Sequence, residues 1–387
     1  MVSSGYLRSN LLEKYRVNRK SGIRIALYVL MAFLPLTISC QTLRLVHTLE
    51  DRIRETSGLV YLDGRLITHN DSGNKAYLYE IDTATGKVIS RTKIKGADNV
   101  DWEDICKDEK YIYIGDFGNN GGDRQDLTIY RIEIKEFLKH MDGKVSSDKI
   151  RFKYREQLDY TYRKHHHNFD AETLISYRDS LYIFSKNWAN HKSYIYRLPK
   201  HPGTYTLTRI DSIEANGLVT GGVYDDQRRA ILLTGYLSYR PFAIELPIVE
   251  GQPFSFIPLK RYPLAAPVSL QTEGIALLGN GRYYISGEED WQGHPASLYT
   301  FSPPVITSIE HPITNQVGVL YPNPTHDRIR VRAQDPVLLS LYDKSGSLLI
   351  KTNDLGIDLA KYPPGIYFLH VLNKQTMKDT TLSFVKE

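Results

Sequence analysis

The chain has 387 residues, 41% of them hydrophobic, with 28 tyrosines and a net charge of +5 spread along its length. That is too long for one average domain and apolar enough for a sizeable core, so a large first domain with a smaller second one is expected. No block of basic residues concentrates the charge, which argues against a nucleic-acid partner, and two cysteines, Cys40 and Cys106, exclude a disulfide framework.

The leader comes first. Lys20 and Arg24 precede an apolar run over residues 25–36 that is interrupted by Pro35 and ends before Cys40. The run is too short to cross a bilayer comfortably and reads as a cleaved signal peptide, residues 1–40, leaving no transmembrane helix in the mature chain. Cleavage after Cys40 frees Gln41. Cleavage before it leaves a lipid-modified Cys40, although Thr37 stands where a lipoprotein signal prefers leucine. Cys106 is then an unpaired, buried thiol.

Four elements recur in fixed order over residues 55–301, the first three of them five times. The first is a short segment entering an apolar strand, at residues 55–59, 101–105, 170–174, 219–223 and 271–275. A second apolar strand ends in a polar turn, at 66–71, 112–116, 182–186, 231–235 and 284–288. An alternating aromatic strand follows, at 76–81, 127–132, 193–198, 242–246 and 297–301. A more polar fourth strand is read at 88–94, 149–154, 205–210 and 254–259. No fourth strand follows Phe301, but one stands alone at 43–49. The expected fold is all-β: a β-propeller whose N-terminal strand closes the last blade, followed by a small C-terminal β-sandwich. Five blades are counted, with six as the alternative, because the stretch between Ile105 and Leu174 could hide further strands. The propeller spans 41–302 and a linker 303–318.

The remaining strands, at 328–333, 337–342, 348–352, 365–371 and 380–386, make the sandwich. Tyr321, Pro322, Asn323 and Pro324, then Tyr342, Asp343 and Gly346, Asp358 and Leu359, the run Gly365, Ile366, Tyr367 and Phe368, and the basic Lys386 stand in one order. Here residues 319–387 resemble the C-terminal sorting domain of type IX secretion cargo in Bacteroidota. That resemblance implies the type IX machinery as a partner, export through the outer membrane, and a secreted or surface-attached protein whose sorting domain is often removed.

Propeller topology brings the entry segments and second-strand turns to one rim, where ligands bind concave mouths. The metal candidates are Glu55, Asp101, Glu103, Asp170, Glu172 and Glu273. The ligand-binding candidates are Asp71, Asp116, Lys186 and Glu288. So many carboxylates raise one another's pKa unless a cation intervenes, and calcium, with 6–8 oxygen ligands, suits such a ring. The alternative is that these acids only cap backbone amides and hold blades together. Three histidines, His165, His166 and His167, read as a solvated loop, with His167 a possible single ligand. Trp102 and Trp188 read as packing between blades, and so does Trp291. No nucleophile motif or phosphate-cradling glycine loop is present.

Ser57, Gly58 and Leu59, with Asp170, Ala171 and Glu172 and with Thr272, Glu273, Gly274 and Ile275, resemble the blade entries of phytase-like or esterase-like propellers. The resemblance implies a calcium-assisted phosphoester hydrolase or a sensor relative. The fourth blade departs from it, with Val219 and Gly221 where acids would stand. The first expectation is therefore a propeller binding a small-molecule or glycan ligand, with calcium, at an acidic mouth. The rival is a metal-assisted phosphoester hydrolase on the same face, and a silent scaffold is the third reading.

Overall fold

The computed structural model describes residues 41–290, 292–304, 319–333 and 335–387. The leader, Cys40, Trp291 and most of the expected linker lie outside the described residues. Two compact units divide the chain, Met1–Pro303 and Pro304–Glu387.

The first unit holds five sheets, one for each sequence repeat. Their first strands are Thr56–Leu62, Trp102–Lys107, Ala171–Tyr177, Leu218–Asp225 and Thr272–Gly279. Each pairs antiparallel with the next strand in sequence, and the sheets grow outward from there. The first strands also pack on one another in cyclic order, the fifth returning to the first. They are buried on both faces and so carry apolar, small and β-branched residues, whereas the outer strand Lys87–Lys95 alternates. Five apolar clusters fill the spaces between consecutive sheets, the last of them joining Leu298 and Ala276 to Leu59 and Ile81.

Close packing of first strands needs bare backbone at some positions. A Cβ on Gly274 would lie 2.4 Å from the Ser57 carbonyl oxygen and 2.6 Å from the Leu59 nitrogen. Neither atom can swing aside as a side chain would. Gly274→Ala is therefore expected to cost about 2–4 kcal/mol in urea denaturation, and a loss below about 0.5 kcal/mol would show that the strands can part freely.

The expected N-terminal closure is present, in two pieces. Arg44–Thr48 pairs antiparallel with Ser297–Phe301, while Gln41–Thr42 runs parallel to Lys260–Ala265 of the fourth sheet. Leu43, between them, is 3% exposed and packs in the cluster shared by both sheets. The same device recurs twice. Lys144–Ser146 joins the first sheet just before Asp148–Tyr154 enters the second, and Gly203–Leu207 joins the second just before Arg209–Ile213 enters the third.

Those stitches correct the reading of the fourth strands. Residues 205–210, expected as one strand, divide between two sheets at Thr208. Residues 254–259 begin as a 3-10 turn, Phe254–Phe256, and the strand is Lys260–Ala265; Pro253 and Pro258 punctuate that stretch. The interval between Ile105 and Leu174 holds a short helix, Ile134–Lys139, and the stitch Lys144–Ser146, with no additional sheet among its described residues.

The second unit has a three-stranded sheet, Val319–Tyr321, Arg328–Arg332 and Gly356–Asp358, and a four-stranded sheet of Leu348–Thr352, Val337–Tyr342, Gly365–Asn373 and Asp379–Lys386. Ile329, Leu339, Leu341, Leu369 and Phe384 fill its core.

Candidate functional site

The start of each first strand lies beside the end of the second, as in the pairs Trp102 with Asp116, Ala171 with Ser185 and Thr272 with Gly287. Entry residues and second-strand turns therefore share one end of each sheet. All five first strands also break register there, around Ser57, Glu103, Glu172, Thr220 and Glu273. Bulges re-aim side chains, and these five positions carry two hydroxyls and three carboxylates. The hydroxyls bond to the neighbouring sheet: Ser57 donates to the Glu103 carbonyl, and Thr220 to the Thr272 carbonyl at 2.6 Å. The three carboxylates line a cavity of about 190 Å³, with Ser57, Asp71, Asn120, His165, Lys186, Trp188, Tyr236, Gln271 and Glu288.

Asp71, Asp101 and Glu103 each bring one carboxylate oxygen within 4.8 Å of the other two. Asp71 comes from the turn after Arg65–Asn70, and the other two from the entry to Trp102–Lys107. Burial, with the charges of Asp71 and Asp170 added, lifts the Asp101 pKa to about 7. Burial also lifts Asp71 to about 6, against a hydrogen bond from the Ser72 amide. Glu103, 4% exposed, is pushed well above the ordinary range by burial and then by Glu172. A hard divalent cation bound by oxygens at 2.3–2.6 Å matches this spacing.

Lys186 lines the same cavity, its Nζ 2.9 Å from Glu172 Oε1. Burial works against its charge, but Glu172, Tyr236, Glu273 and Asp170 outweigh that and hold its pKa well above the usual lysine value. The ammonium also lies 5.1 Å from the centre of the Trp188 ring and 5.6 Å from that of Tyr236. Glu172 is 1% exposed and its pKa is raised, chiefly by burial. Lys186→Met would leave this carboxylate without its counter-charge, at an expected cost of about 3–5 kcal/mol near pH 8. Burial raises the Glu172 pKa, so the loss should shrink as pH falls. Urea denaturation at pH 8 and at successively lower pH checks this; a loss that does not change with pH would mean that packing, not charge, is what was removed.

Other candidates are placed differently. Asp116 does not line the cavity: it accepts the Asp101 amide at 3.0 Å, Arg124 at 3.1 Å and the Tyr130 hydroxyl at 3.3 Å. Asp170 has both oxygens engaged, by the Asn119 amide at 2.6 Å and Trp188 Nε1 at 2.8 Å. Glu55 takes the Asn74 amide group at 2.5 Å. These three acids brace the rim, whereas Glu288 faces the cavity and is held by Gln271. His167 has both ring nitrogens on backbone, Asn120 and Phe169, so it offers neither to a ligand. His165 reaches the cavity instead, stacked 3.8 Å from Trp188. Trp102 is fully buried against His69 and Tyr130, and Cys106 is a free, buried thiol.

Tyr236 was not among the candidates. It comes from the fourth sheet, whose entry has no acid, and reaches the cavity from the end of Ala230–Leu237. Gly221 in that sheet has its own reason: a Cβ there would lie 2.1 Å from the Glu273 carbonyl oxygen.

Among solved structures, the chain is similar to a glucose dehydrogenase (11% identity, TM-score 0.40, covering 66% of this chain and 99% of that one). It is also similar to a quinoprotein alcohol dehydrogenase-like protein from Bacteroides thetaiotaomicron (11%, 0.31, 88% and 68%). A third likeness is to an exo-β-1,3-galactanase from Phanerochaete chrysosporium (9%, 0.43, 89% and 96%). Likeness at this level carries no residue roles across. No curated protein sequence matches. No helix among the described residues is long and apolar enough to cross a membrane. Residues 319–386 match the secretion system C-terminal sorting domain, which indicates a secreted or cell-surface protein sorted by type IX secretion.

Proposed function

We propose that the first unit is a five-bladed β-propeller that binds a divalent cation of the calcium type, and with it a small ligand, at its acidic mouth outside the cell. The observation that carries this reading is the convergence of Asp71, Asp101 and Glu103. Two neighbouring sheets supply three carboxylates whose charges oppose one another unless a cation joins them. The mouth then serves as a calcium-completed receptor site.

A phosphoester hydrolase on the same residues is the second reading, since an ion there would polarise a phosphoryl group and activate water. It is less favoured because phosphate needs cations to hold it. Lys186 is paired with Glu172, and Arg124 with Asp116 and Asp126. The test is a calcium titration of the metal-stripped mature chain followed by thermal unfolding, then a phosphoester turnover assay. Saturable stabilisation by calcium, weaker with magnesium and without turnover, is the expected result. No stabilisation by any divalent ion would refute the reading, and calcium-dependent turnover would transfer it to the hydrolase.

A further inference from the structure

Beyond the three converging carboxylates, the cavity holds a buried acceptor that no described residue satisfies, with further carboxylates beside it. Glu273 is 7% exposed and lines the cavity, where Lys186 supplies its counter-charge. Glu172 gives one oxygen to Lys186 and lies beside the Glu103 carboxyl, and its Oε2 is buried without a donor among the described residues. Tyr236, 6% exposed, lines the same cavity. Glu172, Glu273 and Glu288 thus face a single lysine. Leaving an ionised carboxylate buried without a donor costs several kcal/mol.

The chemistry that would relieve this is narrow. An anion would add to the excess charge. A neutral hydroxyl compound would supply donors but leave the charge standing. A metal ion needs converging oxygens, and the one such set among the described residues is Asp71, Asp101 and Glu103. An ammonium supplies charge and three N–H donors together. Lys186 shows how this lining holds one, on Glu172 and over the faces of Trp188 and Tyr236.

The geometry points to a second ligand position in this cavity, for the primary ammonium group of an organic cation, held by Glu273 and Glu172 Oε2 beside Tyr236. A free polyamine, an amino sugar and a lysine side chain share that chemistry. The position adjoins the proposed calcium site but does not depend on it.

Calorimetric titration of the mature full chain with spermidine, glucosamine and Nα-acetyl-lysine methylamide, with and without calcium, tests the inference. N-acetylglucosamine and glucose are the uncharged counterparts, and about 0.15 M salt suppresses loose attraction to the acidic rim. One amine is expected to bind saturably and at least about ten-fold more tightly than the uncharged sugars; which one does so identifies the source. Glu273→Gln should weaken it by about ten-fold or more while calcium stabilisation persists. Asp101→Asn should abolish calcium stabilisation and leave the amine bound, so the two assignments fail separately. The inference is overturned if no amine binds up to about 10 mM, if an uncharged sugar binds as well, or if Glu273→Gln leaves binding unchanged.

Discussion

Replacing Asp101 with asparagine is expected to abolish calcium stabilisation and, without calcium, to make the protein more stable than its parent at pH 8. Both results follow from one cost. In the folded chain Asp101 has a pKa of about 7 and Asp71 of about 6, each raised first by burial, against an ordinary value of 3.8. A folded pKa above the unfolded one means that the folded state holds the extra proton between the two. Stability contributed by the protonated form is present below about pH 4 and is lost as pH rises through 7. Asparagine removes the titration. For Asp101, which is partly solvent-exposed, the gain should be about 1–3 kcal/mol at pH 8 and close to nothing at pH 4. Calcium at 100 times its Kd would contribute about 2.7 kcal/mol to the parent and nothing to the variant. Thermal and urea unfolding of both proteins over pH 4–8 measures these effects. An unchanged calcium response in the variant, or a stability difference that does not grow with pH, would remove Asp101 from the cation site.

Deleting residues 41–48 should have the larger structural effect. The segment gives the fourth sheet an edge partner, gives the fifth its outermost strand, and inserts Leu43 between them. Without it the Ser297–Phe301 edge is bare and the cyclic contact has a weak joint. A loss of about 5 kcal/mol, seen as a drop of at least about 10 °C in Tm, is expected. Leu43→Ala separates packing from pairing and should cost about 2–4 kcal/mol. A truncated chain melting within about 2 °C of its parent would show that the closure is ornamental.

The repeat was readable because its first three strands are specified by local pattern. Inner strands must be apolar on both faces, and the aromatic strand must alternate, so copies such as Ile112 to Asp116 and Ser193 to Leu198 stand out without any fold in hand. Fourth strands lie at the periphery, with little burial to fix their pattern. The division at Thr208 depends on which sheet lies alongside, and that is not a local property. The candidate site shows the same limit. Spacing placed Glu103, Glu172 and Glu273 at equivalent positions, and register breaks accompany all three at one cavity. Spacing could not tell Asp101, with a free oxygen, from Asp170, whose oxygens are consumed by Asn119 and Trp188. Tyr236 escaped because its sheet has Thr220 where the others bear acids.

The pairing of residues 41–48 also sets an order of events. Residues 41–48 leave the ribosome before any strand they pair with exists. They must stay unclaimed until residues 260–301 arrive, while the first three sheets can already assemble from nearby sequence. Locking is thus deferred until the last sheet is delivered.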